Sequence, residues 1–111
     1  MPFVVFDEVA KEFVTPKYST AYGELVTGEQ VEVARLTFKA GEGAVEHHHP
    51  QEQVMYVIAG HLSVDLAGEH AELGPGMAFH ALANQPHRVS AVEDTLVISC
   101  KGIVGGVGHK I

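Results

Sequence analysis

Tryptophan is absent from this sequence, and cysteine occurs once, at Cys100. A lone thiol can close no disulfide within the chain, so cysteine usage gives no sign of an oxidising compartment. Its flank, residues 96–100, is mostly apolar, and there the thiol is expected to pack as a small buried hydrophobe. Basic residues are few as well: seven Lys and Arg against fourteen Asp and Glu leave a formal charge of −7. The seven are scattered and form no stripe that would neutralise phosphates, so neither a nucleic-acid partner nor an anionic membrane surface is expected. The apolar stretch at residues 3–6 ends at Asp7, well short of a signal h-region or of the ~20 residues of a spanning helix. A cytoplasmic protein is the expectation. Helical patterning is scarce too. Only residues 7–13, with an acidic start and Val9, Ala10 and Phe13 at helical spacing, suggest one or two turns.

What is present suits short strands. Of the 111 residues, 46% are hydrophobic and twelve are glycine, enough for one buried core and one domain spanning residues 1–111. Turn signals recur every eight to twelve residues: Thr15-Pro16, Thr27-Gly28, Gly41-Glu42-Gly43, Gly60, Ala67-Gly68, Gly74-Pro75-Gly76, Asn84-Gln85-Pro86 and Glu93-Asp94. That spacing is the mark of an all-β sandwich or barrel. Between the turns, Val31–Phe38, Gln53–Ala59 and residues 61–66 and 95–100 read as strands. Gln53–Ala59 is apolar on both faces, which fits a strand covered on both sides by a second layer or by a second copy in a homodimer. The tail, residues 102–111, has four glycines and reads as either a loose end or a loop over a site.

Histidine is the conspicuous residue, with eight in the chain. His47 and His49 are two apart where a strand enters the core, so period-two geometry sends both to one face and His48 to the other. Gln53 opens the next strand. His87 follows the turn at Asn84-Gln85-Pro86 and opens another. Three imidazoles converging in a barrel mouth are a common way to hold Mn, Fe, Ni, Cu or Zn.

The segment Gly41…His47-His48-His49…Gln53…Gly60 resembles the first motif of the cupin superfamily. Residues 68–87, with Gly68, Pro75, Gly76, Asn84, Pro86 and His87 in order, resemble the second. The resemblance implies a double-stranded β-helix (jelly-roll) barrel holding one divalent transition metal ion with His47, His49, Gln53 and His87, and a homodimer. It departs from the commonest cupin pattern at Gln53, where Glu is usual. Glu52, one residue earlier, is expected on the opposite face.

A neutral amide beside three neutral imidazoles leaves the ion's full charge uncompensated, which favours Lewis-acid work. The stretch His47-x-His49-Pro50-x-x-Gln53 is similar to cupins that linearise unsaturated uronates and to cupins with hydroxynitrile lyase activity. The expectation is therefore a metal-dependent lyase or isomerase acting on a small hydroxy, keto or sugar acid. A non-haem Fe or Mn dioxygenase and a non-catalytic ligand-binding or sensing module are the alternatives. His80 is the candidate catalytic base, with Arg35 and Lys101 as candidate anion clamps and Tyr18-Ser19 as a pocket rim. His61, His70 and His109 are expected at the surface, and Tyr56 in a core or interface.

Overall fold

The computed structural model describes residues 2–111. Its ten strands are β1 (Glu12–Phe13), β2 (Tyr22–Thr27), β3 (Val31–Phe38), β4 (Gly43–His47), β5 (Gln53–Ala59), β6 (Leu62–Leu66), β7 (Glu69–Leu73), β8 (Ala78–Ala81), β9 (His87–Ala91) and β10 (Thr95–Gly102). They form two antiparallel sheets, in spatial order β1-β2-β3-β10-β5-β8 and β4-β9-β6-β7. From β3 onward the chain passes from sheet to sheet at nearly every turn, the path of a jelly-roll barrel.

The two sheets share one core. Leu36, Phe38, Met55, Val57, Phe79 and Val97 from the larger sheet meet Leu62, Val64, Leu73 and Val89 from the smaller. Val57, Leu62 and Val97 are fully buried, each contributing about 1.5–3 kcal/mol relative to an exposed side chain. Alternation along the strands does this sorting. In β10, Thr95, Val97, Ser99 and Lys101 point inward, while Leu96, Ile98 and Cys100 lie on the outer face. Cys100 is therefore half-buried on the outside of the barrel, not in its core as its apolar flank suggested.

The turn at Gly60 has no room for another residue. Its φ is +99°, and a Cβ there would meet Thr95 Oγ1 at 2.4 Å and Asp94 O at 2.5 Å. This close approach brings the end of β5 against the start of β10.

At the N-terminus the expected helix is reduced to one 3-10 turn, Phe6–Glu8, which buries no residue. Glu12 and Phe13 instead pair with Gly23 and Tyr22 as an edge strand. Helical spacing of Val9, Ala10 and Phe13 had nothing to pack against, and Phe13 rests on Tyr22 with ring centroids 4.8 Å apart. No helix among the described residues is long and apolar enough to cross a membrane.

Gln53, Met55 and Val57 of β5 face the interior, whereas Val54, Tyr56 and Ile58 form a row on the outer face, each about two-fifths exposed. The second apolar face of this strand is thus left bare by the chain itself.

Candidate metal centre

Polar residues point inward at one end of the barrel. Strand register sets Glu32 of β3, Lys101 of β10, Gln53 of β5 and Ala81 of β8 side by side in one inward row, all buried. The next inward rows, through Met55, Phe79, Val57 and Val97, are mostly apolar. The functional end is therefore the last rung of an otherwise hydrophobic barrel.

Across from this row, His47 pairs with His87 between β4 and β9. Simple alternation from buried Ala44 would turn Glu46 inward and His47 outward. The register instead slips by one residue between Ala44 and His47, a bulge that leaves Val45 and Glu46 exposed and turns His47 in. His49 lies just past the end of β4 and also turns inward, while His48 between them is exposed.

The ring nitrogens of His47, His49 and His87 offer three donor atoms within 4.8 Å of one another. Each ring is anchored by its other nitrogen. Nδ1–H of His47 donates to the Val45 carbonyl at 2.7 Å, that of His49 to Gln51 at 2.9 Å, and that of His87 to Gln85 at 2.9 Å. Every Nδ1 thus carries the proton and every Nε2 presents a lone pair, the arrangement in which a backbone carbonyl orients a metal-binding imidazole. His49 Nε2 is buried with no hydrogen-bond partner among the described residues. An orphaned buried acceptor is costly unless something fills it, and a metal ion does. Tyr18 stacks on the His47 ring, with centroids 4.8 Å apart and planes 8° from parallel.

Burial holds all three imidazoles neutral, as ligation requires. It lowers the pKa of His49 to about 4, helped by the nearby positive charge of Lys101, and pushes those of His47 and His87 below the usual imidazole range. The donor set fits a divalent transition metal ion.

Gln53 is 5% exposed and lines the same cavity as His47, His87, Lys101 and His109. Measured as space open to the centre of a water molecule, this cavity is about 30 Å³, room for an ion and a water or the reacting end of a small molecule. Lys101 is 3% exposed, and burial lowers its pKa to about 8 against a weaker upward pull from Glu32. Among the described residues nothing hydrogen-bonds or ion-pairs with its amine.

Other expectations are corrected. His80 is on the outer face of β8, exposed and paired with Glu52, because alternation gives the interior to Phe79 and Ala81. It cannot act as a base in the cavity. Glu52 is outside, as parity required. Arg35 lies on the outer face of β3, forked onto Glu24 and also bound to Asp7, so it clamps no ligand in the cavity. His61 and His70 lie towards solvent, hydrogen-bonded to Glu72. His109, expected at the surface, is 1% exposed and lines the cavity.

The tail accounts for that difference. Residues 102–111 fold back through a turn at Gly105 and Gly106 and are tied down by Gln51 Nε2 to Val107 O at 2.8 Å and by Thr15 Oγ1 to His109 O at 2.7 Å. Ser19 also lines the cavity, beside stacked Tyr18. Sequence reading missed Glu32 and Gln51. Glu32 is inward by strand parity with Ala34 and Leu36, a signal that was available; Gln51 carried none.

A model of the cupin domain matches residues 34–100, more than half of the chain. The chain belongs to the cupin family. Among solved structures it is similar to KdgF from a Halomonas species, at 28% identity and a TM-score of 0.80 over 92% of this chain and 93% of that one. An RmlC-like cupin from Shewanella frigidimarina superposes with a TM-score of 0.82 at 17% identity, covering 92% and 90% of the two chains. The polyketide cyclase RemF from Streptomyces resistomycificus gives a TM-score of 0.79 at 17% identity, covering 100% of this chain and 85% of that one. The two below 25% identity share the fold. No curated protein matches the chain in sequence.

Proposed function

We propose that this cupin holds one divalent transition metal ion with His47, His49, His87 and Gln53 and acts as a lyase or isomerase on a small oxygenated acid. Lys101 carries this reading: its buried amine, without a hydrogen bond or ion pair among the described residues, lines the same cavity as His47, His87 and Gln53. A buried ammonium that feels the charge of Glu32 but forms no ion pair with it is costly, and an enolate formed as the amine takes up a proton supplies a close anion. With its pKa lowered to about 8, the amine also exchanges protons near neutral pH, the role the sequence had given to His80. The bound ion supplies Lewis acidity, since four neutral donors leave its charge undiminished.

Lys101 as the free amine would take a proton from the carbon next to a substrate carbonyl group. Return of that proton at a neighbouring atom completes an isomerisation; loss of a leaving group instead completes an elimination. His47, His49 and His87 keep their Nδ1 protons on backbone carbonyls throughout, so they position and do not titrate. A second copy of the chain is proposed to cover Val54, Tyr56 and Ile58, with Tyr56→Glu expected to shift the mass in sedimentation to that of one chain.

The experiment is a panel of small hydroxy, keto and sugar acids given to the metal-loaded protein and to Lys101→Met. Turnover without oxygen uptake, lost in Lys101→Met with metal content intact, supports the reading. Oxygen uptake with turnover points to a dioxygenase, and acid binding without turnover to a binding module.

A further inference from the structure

The interior contains a second polar chain that the metal site does not use directly. Gln53 Nε2 donates to Ser99 Oγ at 2.9 Å, and Ser99 Oγ lies 2.8 Å from His109 Nε2. His109 Nδ1 and the His109 backbone N–H both reach Glu32 Oε1, each at 2.6 Å, and Thr27 Oγ1 donates to Glu32 Oε2 at 2.6 Å. Ser99 is fully buried and Glu32 and His109 nearly so.

We propose that His109, acting through Ser99, is a positioning residue that decides which end of the Gln53 amide faces the three imidazoles. The proposal rests on Gln53 being the fourth metal donor.

Hydrogen counting gives the chain a direction. The Glu32 carboxylate only accepts, and its oxygens take hydrogens from Thr27 and His109; these bonds outweigh burial and hold its pKa below the usual carboxylate value. His109 must therefore carry its hydrogen on Nδ1. Burial, with the charge of Lys101, lowers its pKa to about 4, so Nε2 is left as an acceptor. That acceptor takes the single hydrogen of the Ser99 hydroxyl. Ser99 then has only lone pairs to offer Gln53, and only the amide NH2 can meet them.

A flipped amide would set its oxygen against Ser99 Oγ, two acceptors face to face in a buried site, each left unsatisfied. The network thus selects the rotamer that turns the NH2 to Ser99 and leaves Oε1 free for the ion. Such flips are fixed by hydrogen-bond networks and by nothing in the shape of the amide.

The tail is built for this approach. A Cβ on Gly108 would lie 2.5 Å from Glu32 Oε1, so a larger residue there would push the carboxylate from its place against His109. The Ser99-His109-Glu32 order is also that of a nucleophilic triad. Ser99 is not a nucleophile here: it is 0% exposed, lies behind the cavity lining, and has its hydrogen and a lone pair already engaged.

The test measures Zn2+ affinity of the full chain by chelator competition in wild type, His109→Phe and Ser99→Ala, each alone and in the Gln53→Glu background. Both single variants are expected to bind Zn2+ about 10–100-fold more weakly, the scale of losing an orienting partner. In the Gln53→Glu background the loss should vanish or reverse, because a carboxylate has no NH2 end for Ser99 to select and His109→Phe frees the Ser99 hydrogen to meet it. Wild-type His109 should also show the Nδ1–H tautomer by ring 15N shifts. Equal losses in both backgrounds would mean a merely structural role and overturn the proposal. If Gln53→Ala leaves Zn2+ affinity unchanged, the four-donor reading itself falls. If Gln53→Ala weakens binding but neither His109→Phe nor Ser99→Ala does, only the positioning role falls.

Discussion

Asn84 donates its backbone N–H to the carbonyl oxygen of His49 at 2.8 Å, so the turn that delivers His87 is tied to the loop that carries His49. Asn84 holds this position at φ +62°, in the left-handed region that Asn tolerates and β-branched residues do not. Asn84→Val is expected to cost about 1–2 kcal/mol in backbone strain and to weaken metal binding. Asn84→Gly should leave both nearly unchanged. Denaturant midpoints and metal titrations on the two variants check this, and equal behaviour of the two would remove the turn from the site's design.

Metal content follows from the convergence of the three rings. Elemental analysis of the metal-loaded protein should give about one ion per chain, and His47→Ala or His87→Ala should abolish it. Equal metal in wild type and both variants would sink the site assignment.

The depressed histidine pKa values give a pH window with a definite sign. An unfolded imidazole takes up a proton near 6.5, whereas native His49 and His109 wait until about 4. The unfolded chain therefore binds more protons between those values. Stability of the metal-free protein is full above about pH 6.5 and falls as pH drops toward 4, by on the order of a few kcal/mol for each group. Protons compete with metal only as the native pKa values are approached. The rise in melting temperature on adding metal should thus persist to about pH 6 and collapse toward pH 4. An equal rise at pH 4 and pH 8 contradicts ligation by these imidazoles.

Gln53→Glu separates the chemical readings. The carboxylate should keep or tighten metal binding while lowering the ion's Lewis acidity. A lyase or isomerase should slow, by about one to three orders of magnitude, the scale of losing one electrostatic stabiliser. Unchanged turnover with metal bound would remove the Lewis-acid argument, and metal found only in the variant would show that Gln53 is not a donor in the native protein.

Most of the barrel was legible because its determinants are local. The turn residues fell where the strands break, and alternation in β5 correctly separated Gln53, Met55 and Val57 from Val54, Tyr56 and Ile58. The three histidines stood at the spacings of the two cupin motifs. The reading failed where a residue's surroundings come from distant chain. His80 looked apt as a base because it lies near His87 in sequence, yet parity within β8 turns it to solvent. The acidic opening of residues 7–13 read as helix, but no apolar surface waited for its spaced side chains.

The sequence by itself determined the all-β class, the positions of the turns and the identity of the three imidazoles, since period-two patterning and turn chemistry act over a few residues. Tertiary structure alone decided the interior of the functional end. A one-residue bulge in β4 turns His47 inward. Register between β3, β10 and β5 lines up Glu32, Lys101 and Gln53, which lie far apart along the chain. The folded-back tail carries His109 from a glycine-rich end into the barrel, onto a carboxylate 77 residues away. Side-chain chemistry of this kind depends on which backbones meet, and that is settled by long-range pairing.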